Sequence, residues 1–161
     1  MGARLEKAIY LRKTKNYKES NELLMELVQE FPDNASINYQ CAWSFDLLGE
    51  ESKAVPFYEK SIELGLPLEE LEGALLGLGS TYRTLGEYEK SKIIFLKGIE
   101  SFPNNRAIQT FYSMTLYNLN EHNKAMELLL KCLIDTTTDN ELLKYKKAID
   151  FYSDKLDNIW K

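Results

Sequence analysis

A helical hairpin that recurs along the chain constrains the fold more than any other feature of this sequence. Its clearest copy occupies residues 72–105, where apolar residues recur every three to four positions, as they do along one face of a helix. Gly86 interrupts this pattern and Pro103 ends it. Glycine readily adopts the left-handed backbone that ends a helix, and proline cannot continue one. The segment therefore predicts two helices joined by a tight turn, a unit that needs neighbouring copies to bury its apolar faces.

Three further copies of this hairpin align with it in the same register. The small residue of the first helix stands at Ala8, Ala42, Gly79 and Ser113, at spacings of 34, 37 and 34 residues. We expect helices to approach each other closely at such positions, with large residues filling the space between them. The other aligned series lie in the turn and along the second helix: Lys15, Gly49, Gly86 and Asn120; Ser20, Ala54, Ser91 and Ala125; Leu24, Tyr58, Phe95 and Leu129.

This pattern resembles the tetratricopeptide repeat family, whose repeat unit is about 34 residues long. The fourth copy departs from the family pattern, with His122 in place of an aromatic residue and Thr137 in place of proline. The resemblance covers nearly all of residues 1–139. It implies an all-α fold, a right-handed superhelical array of four helix-turn-helix hairpins plus a C-terminal capping helix. The third copy carries the fullest match: Leu78-Gly79, Tyr82, Gly86-Glu87-Tyr88, Phe95 and Pro103.

We predict a single repeat domain over residues 1–161. The one spacing of 37 residues contains Pro67, and it predicts a longer loop with an extra helical turn after this proline. Asp139 or Asn140 is expected to cap a terminal helix whose apolar residues recur every three or four positions and should cover the last hairpin. The predicted repeats span about 1–34, 35–71, 72–105 and 106–139, and the terminal helix spans 140–160.

Composition excludes several classes of partner and suggests a location. The chain has 161 residues and a net charge of −5, so it repels a phosphate backbone and we expect no nucleic-acid partner. No apolar run approaches the roughly 20 residues of a membrane span, and no signal peptide is recognisable. Cys41 and Cys132 fall at helix-packing positions, so we expect reduced thiols and a cytoplasmic protein. The abundance of Lys, Asn, Ile and Glu suggests a bacterial source.

No pattern of residues indicates catalysis, a metal or a cofactor. His122 is the only histidine, and no cysteine or carboxylate stands at metal-ligand spacing from it. Gly77-Leu78-Gly79 resembles part of a phosphate-binding loop, but it lies inside a predicted helix that no strand precedes. The sequence therefore predicts a protein that is not an enzyme and that binds no metal or cofactor.

One face of the first helices is the predicted binding surface. In tetratricopeptide repeat proteins the equivalent positions line a concave groove, so the resemblance implies that they face a peptide or protein ligand. Aromatic residues suit such a surface because they bury much area at low entropic cost. The alternative is that Tyr39 and Trp43 pack on the neighbouring hairpin. The predicted groove residues are Leu5, Ile9, Arg12, Tyr39, Trp43, Asp46, Leu76, Ser80, Arg83, Thr110, Met114 and Tyr117.

One class of tetratricopeptide repeat domain holds the acidic tails of cytosolic chaperones in a clamp of Lys, Asn and Arg. None of the positions that match this clamp is basic here, so we do not expect chaperone tails to bind. Arg12 and Arg83 lie elsewhere on the predicted groove, where a guanidinium can still pair with a carboxylate. The positions that match the clamp are Leu5, Ile9, Gln40, Gly73 and Gly77.

Two functional hypotheses follow from these patterns. The first is a cytoplasmic adaptor that binds a peptide or protein segment in the groove. The alternative is a self-associating structural protein whose homodimer is the functional unit. The terminal helix supports the alternative, because its apolar seam has coiled-coil spacing and Trp160 extends beyond what one hairpin can cover. The candidate dimer residues are Tyr152, Leu156, Ile159 and Trp160.

Overall fold

Ten α-helices and no strand make up the structure, a computed structural model that describes residues 1–161. The predicted all-α fold is confirmed. None of the helices combines the length and the apolar character that crossing a bilayer requires. The chain divides into two compact units, residues 1–87 and residues 88–161. The single domain expected from the sequence stays a prediction.

Five helices form the first unit: α1 (Gly2–Lys13), α2 (Tyr17–Glu30), α3 (Ala35–Leu47), α4 (Glu51–Glu63) and α5 (Leu68–Thr84). Each of them packs against the next along the chain. Contacts also join α1 to α3 and α3 to α5, so the first helices of successive hairpins lie side by side. Helix α5 begins directly after Pro67, which confirms the extra helical turn predicted there.

Five further helices form the second unit: α6 (Tyr88–Ser101), α7 (Arg106–Asn118), α8 (His122–Thr136), α9 (Asn140–Lys144) and α10 (Lys146–Tyr152). Helix α7 packs against α6 on one side and against α8 on the other. Helix α10 lies on α8, and the short α9 contacts α10. The C-terminal segment therefore lies against the last hairpin, where the sequence led us to expect a cap.

The turn inside each hairpin has the same backbone conformation in all four copies. Lys15, Gly49, Gly86 and Asn120 have φ values of 65°, 70°, 78° and 61°. They occupy the one turn position at which the four copies align. This left-handed geometry costs little for glycine and is tolerated by asparagine, but it is uncommon for lysine. The geometry of the turn is thus kept even where the repeat has lost its glycine.

Side-chain caps start α3, α7 and α9, whereas α5 begins after Pro67 without one. The Asn34 side-chain oxygen accepts a hydrogen bond from the Ile37 amide at 3.0 Å, and that of Asn105 accepts one from the Ile108 amide at 2.8 Å. Asp139 caps α9 in the same way, so the choice left open between Asp139 and Asn140 falls on the aspartate. Such caps satisfy backbone donors that the first turn of a helix leaves unpaired.

The core follows the aligned positions of the repeat. Leu24, Tyr58 and Phe95 are almost completely buried at one of these positions, but Leu129 at the same position is 37% exposed. Met126, one turn earlier on α8, is exposed as well. Helix α10 covers only part of α8. At the position of Leu129 the fourth copy therefore exposes an apolar side chain that the first three copies bury.

The terminal helix is shorter than the sequence predicts. One helix was expected over residues 140–160, but the structure breaks it at Tyr145 and ends it at Tyr152. Beyond that point the chain is rich in serine, aspartate and asparagine, whose side chains compete for backbone hydrogen bonds. The Ser153 hydroxyl, for example, donates to the Asp150 carbonyl oxygen at 2.8 Å. The apolar period alone predicted the longer helix, and this local chemistry overrides it.

Candidate functional site

A guanidinium stacked on an indole ring is the centre of the candidate site in the first unit. Helix α1 supplies Arg12, whose guanidinium carbon lies 3.8 Å from the centroid of the Trp43 ring on α3. The Tyr39 ring stacks beside Trp43 at 6.1 Å, and the Tyr58 ring of α4 lies 6.2 Å from that of Tyr39. These four residues, Arg12, Tyr39, Trp43 and Tyr58, are called the Arg12 site below.

The two aromatic residues of α3, for which the sequence left ligand contact and packing open, differ in exposure. Tyr39 is only 9% exposed, so it packs inside the first unit. Trp43 is 39% exposed, although one part of its ring is covered by the Arg12 guanidinium. An indole that is partly stacked and partly open to solvent is available for contact with a ligand. Tyr39 is therefore a packing residue, whereas Trp43 packs against Arg12 and also has ring surface open to solvent.

Arg12 is half-buried and has no partner of opposite charge. Its Nη1 atom is buried without a hydrogen-bond partner. Burial lowers the pKa of Arg12, and the neighbouring Tyr39 and Tyr58 hydroxyl groups act in the opposite direction. An arginine remains protonated at neutral pH despite such shifts. The site therefore contains a charged guanidinium that has lost part of its hydration and has gained no ion pair in return.

Two glycines of α5 make room for the tyrosines of this site. A Cβ atom added at Gly73 would collide with the Tyr39 hydroxyl, and one added at Gly77 would lie 2.6 Å from Cζ of Tyr58. These are two of the positions that the family resemblance matched to the chaperone-tail clamp. Tyrosine side chains from α3 and α4 fill this space here, so larger residues at either glycine would collide with them.

Asp46, predicted to face a ligand, is held instead by hydrogen bonds within the first unit. The Tyr58 hydroxyl donates to its carboxylate at 2.7 Å, and the Thr81 hydroxyl donates to it at 3.0 Å. Burial raises the pKa of Asp46, while these two hydrogen bonds act against that shift. The carboxylate joins α3, α4 and α5, and it holds the hydroxyl end of Tyr58, one of the residues of the Arg12 site.

The other predicted groove residues of the first unit are partly buried and partly exposed to solvent. Arg83 of α5 resembles Arg12, because its Nε atom is buried without a hydrogen-bond partner. Glu70, at the start of the same helix, is already hydrogen-bonded by the Ser36 hydroxyl and by the Gln40 side-chain amide. The residues that are half-buried are Leu5, Ile9, Leu76, Ser80 and Arg83.

Helix α7 of the second unit carries the three remaining predicted groove residues. Met114 and Tyr117 are exposed, and the Tyr117 ring lies 4.9 Å from that of His122. The Thr110 hydroxyl donates to the Arg106 carbonyl oxygen at 2.7 Å, so it bonds within its own helix. Two of the three residues thus offer apolar surface to solvent.

The four candidate dimer residues are all exposed, but they do not form a helical seam. Leu156, Ile159 and Trp160 lie beyond the last helix, so the helical seam predicted to include Leu156 and Ile159 is wrong. The chain instead places the Trp160 ring 5.5 Å from that of Tyr152 and 6.4 Å from that of Phe151. The exposed rings of Phe151, Tyr152 and Trp160 are called the aromatic cluster below.

Sequence reasoning missed Tyr58 as a member of the Arg12 site, and it missed the residues of α5 that contact the tyrosines of this site. Tyr58 was interpreted only as a packing residue, and Thr81 was not considered. Gly73 and Gly77 did contain a signal, because glycines four positions apart lie on one face of a helix. Such a pair predicts that large side chains approach the helix closely. Which side chains do so depends on tertiary packing.

Comparisons with known proteins agree with this arrangement of helices. Residues 35–156, well over half of the chain, match the family model described as tetratrico peptide repeat. No curated protein is similar in sequence to the chain. Several solved structures share its fold at low sequence identity.

One of these structures is YrrB, described as a TPR protein with an unusual peptide-binding site; it is 19% identical, with a TM-score of 0.72 over 88% of this chain and 71% of that one. Another is the MamA RS-1 ArsTM double mutant, 12% identical, with a TM-score of 0.73 over 98% and 96% of the two chains. The MamA of AMB-1 is 20% identical, with a TM-score of 0.72 over 88% and 76%. These likenesses confirm the repeat fold predicted from the sequence.

Proposed function

Because this chain belongs to the tetratricopeptide repeat family, we propose that it is a scaffold that binds a peptide or protein segment along the first helices of its hairpins. Repeats of this family are protein-interaction modules, so membership assigns a protein partner in general terms. The finer proposal is that the partner contacts the Arg12 site. A single observation carries it: the Trp43 ring is held in place by Arg12 and Tyr39 and is still 39% exposed.

This arrangement has the properties of an interface anchor. A large ring that is already held in one orientation loses little conformational entropy when a partner covers it. Trp and Arg are also the residue types that most often dominate binding energy at interfaces. YrrB, whose fold is similar, is described as having a peptide-binding site, which fits a peptide ligand for this chain as well.

Replacement of Trp43 by alanine tests this proposal. We expect Trp43→Ala to abolish capture of a protein partner from a lysate of the source organism while the helical content stays unchanged. The free energy of unfolding should fall by less than the about 3–5 kcal/mol typical of a fully buried aromatic residue. Tyr10→Ala is the matched control, because Tyr10 is an exposed aromatic residue of α1 outside the predicted groove.

The two variants separate a binding role from a structural one. Loss of a defined partner from Trp43→Ala but not from Tyr10→Ala supports the scaffold proposal. A stability loss as large as that of a core aromatic residue would mean that Trp43 serves the fold. Retention of every partner by a folded Trp43→Ala protein would contradict the proposed site.

A second candidate function is homodimer formation through the aromatic cluster. The observation that favours it is the exposure of Phe151, Tyr152 and Trp160, which contact one another and leave much of their surface open to solvent. A patch of this kind suits a two-fold contact in which the same surface meets itself. The Lys155 ammonium, 4.6 Å from the Phe151 ring centroid, lies beside the patch.

Sedimentation equilibrium at several concentrations tests the dimer. We expect the full chain to self-associate weakly and Trp160→Glu to be monomeric, because a carboxylate loses its hydration when a second copy covers it and the apolar area of the contact shrinks. Ile93→Glu is the matched control, since Ile93 is an exposed apolar residue of the same unit outside the cluster. A full chain that stays monomeric at the highest concentration reached removes this candidate.

We also propose a role without catalysis in a reducing cytoplasm. Both cysteines are buried and unpaired. Burial raises the pKa of the Cys41 thiol to about 12, so this group is not an effective nucleophile at neutral pH. Free thiols that serve only packing fit a reducing compartment.

A further inference from the structure

We propose that the fourth hairpin binds an amphipathic helix of a partner protein on a face that the other hairpins bury against the helix that follows them. This face is called the open face below, and it lies on α7 and α8. The proposal concerns a surface separate from the Arg12 site, so it does not depend on the function proposed for that site. The open face consists of four exposed side chains: Tyr117, Met126, Leu129 and Leu133.

The three residues of α8 form a stripe whose equivalents are covered in the first three copies. The Asn21 side-chain amide of α2 donates to the Ser44 hydroxyl of α3 at 2.8 Å. The centroid of the Phe95 ring on α6 lies 6.3 Å from that of the Tyr112 ring on α7. Tyr58 of α4 packs against α5 in the same way. Every equivalent position is buried or half-buried: Asn21, Leu24, Val28, Val55, Tyr58, Ile62, Lys92, Phe95 and Ile99.

Tyr117 extends this face onto α7, because its equivalents on α1 and α3 contact the first helix of the next hairpin. Arg12 stacks on Trp43 of α3, and Asp46 accepts a hydrogen bond from Thr81 of α5. The Tyr117 ring is instead 64% exposed. Apolar and aromatic side chains that stand open on two packed helices mark an interaction surface, and a helix is a common occupant of such a surface.

Helix α10 covers a different side of α8. The Lys146 ammonium of α10 lies 3.7 Å from the Asp135 carboxylate, and Ile134, only 4% exposed, lines a pocket with Lys146. Ile134 lies about 140° round the helix from Leu129, since each residue of an α-helix advances by about 100°. The C-terminal segment therefore leaves the open face uncovered. Positions equivalent to Ile134 are exposed and polar in the other copies: Gln29, Glu63 and Glu100.

The helices that cover the equivalent faces share a buried pattern, and this pattern defines the partner. Each carries two apolar or aromatic residues four positions apart, followed three positions later by serine or threonine. Residues at this spacing lie on one side of a helix, and the small last residue permits close approach. The residues are Ile37, Cys41 and Ser44 on α3, Ala74, Leu78 and Thr81 on α5, and Ile108, Tyr112 and Thr115 on α7.

Helix α1 does not present this pattern, although its aligned positions are free. Ala3, Lys7 and Tyr10 stand at these positions, and all three are exposed. Packing α1 of a second copy on the open face would take the Lys7 ammonium out of water against apolar side chains, which costs free energy. A head-to-tail stack of this chain is therefore disfavoured, and the occupant is a helix of another protein with an apolar residue at that position.

A peptide with the sequence of residues 105–119 tests this proposal, because α7 covers the equivalent face of α6. A hydrocarbon link between the positions of Thr110 and Met114, on the side away from Ile108 and Tyr112, keeps the short helix folded. The control peptide carries Tyr112→Lys, which reproduces the lysine of α1. Fluorescence anisotropy of labelled peptides measures binding to the full chain. We expect the parent peptide to bind at least about tenfold more tightly than the control.

Variants of the full chain show where the peptide binds. Leu129→Glu should weaken binding of the parent peptide by about tenfold or more, because the bound helix would cover the new carboxylate. Met126→Glu provides a second variant on the same face. Ile93→Glu, at an exposed apolar position of α6 outside the open face, is the matched control and should leave binding unchanged. Thermal melting confirms that each variant is folded.

The possible results all decide the proposal. Selective binding of the parent peptide that folded Leu129→Glu and Met126→Glu lose and Ile93→Glu keeps supports it. Equal binding of both peptides, no saturable binding, or binding that survives in both folded variants of the open face overturns it. Sedimentation of the full chain examines the other occupant. Self-association that Leu129→Glu abolishes and Trp160→Glu does not would place a second copy on the open face and would also overturn the proposal.

Discussion

Replacement of Leu24 by alanine should destabilise the protein by about 2–5 kcal/mol, the range observed for buried leucines. Leu24 is 0% exposed on α2 and stands at the large-residue position of the first repeat. Alanine there removes buried apolar surface and leaves a cavity that close-packed helices fill only in part. Urea unfolding, monitored by circular dichroism, measures the loss.

Leu129→Ala is the matched control, because it makes the same chemical change at the same repeat position. Leu129 is 37% exposed on α8, so its truncation should cost only about 1 kcal/mol. If both variants lose equal stability in urea, the last hairpin is covered in solution. Sedimentation of Leu129→Ala beside the unmodified chain then shows whether a second copy provides the cover.

Gly77→Ala should also destabilise the protein, by about 1–3 kcal/mol, although alanine is the better helix former. In an exposed helix the same change adds about 0.5–1 kcal/mol of stability. At Gly77 the new Cβ would lie 2.5 Å from the Tyr58 hydroxyl oxygen and 2.6 Å from the ring. Tyr58 cannot move aside easily, since it is buried and its hydroxyl is bonded to Asp46. The steric cost therefore exceeds the gain in helix propensity.

Two further variants isolate this steric effect. Gly2→Ala makes the same substitution where no atom lies within 4 Å of the new Cβ, so it should be neutral or slightly stabilising. In a Tyr58→Leu background the penalty of Gly77→Ala should shrink, because the ring and hydroxyl that it meets are gone. An unchanged penalty in that background would falsify the assigned contact. Thermal and urea unfolding both measure the loss of stability.

Much of the fold was accessible from the sequence because its determinants are local. The apolar period gave the helices of the hairpins, and the turn position common to the four repeats carries a left-handed backbone even at Lys15 and Asn120. Asp139, one of the two residues expected to cap the terminal helix, does cap α9. Signals of this kind depend on a few neighbouring residues, so no knowledge of tertiary contacts is required.

The candidate site was predicted less completely. Its position on α1 and α3 followed from the repeat register, and Arg12 and Trp43 do lie together there. Tyr39 and Asp46 were expected on the same surface, but Tyr39 is buried and Asp46 is bonded to Tyr58 and Thr81. The sequence places a residue on one side of a helix. The side chain turns inward only where the facing helix has space, and here glycines of α5 provide it.

The sequence by itself thus determined the helical hairpins, their turns and the helices that carry the candidate site. Tertiary structure alone decided which side chains near that site stay unpaired, because pairing depends on atoms from three helices that are distant in the chain. It also decided which apolar side chains near the C-terminus are exposed and where the terminal rings lie. Leu129 is exposed because α10 covers only part of α8, and Trp160 folds back to Tyr152 after the last helix has ended. A period in sequence cannot record the absence of a neighbour, since the burial of an apolar face requires a partner in space.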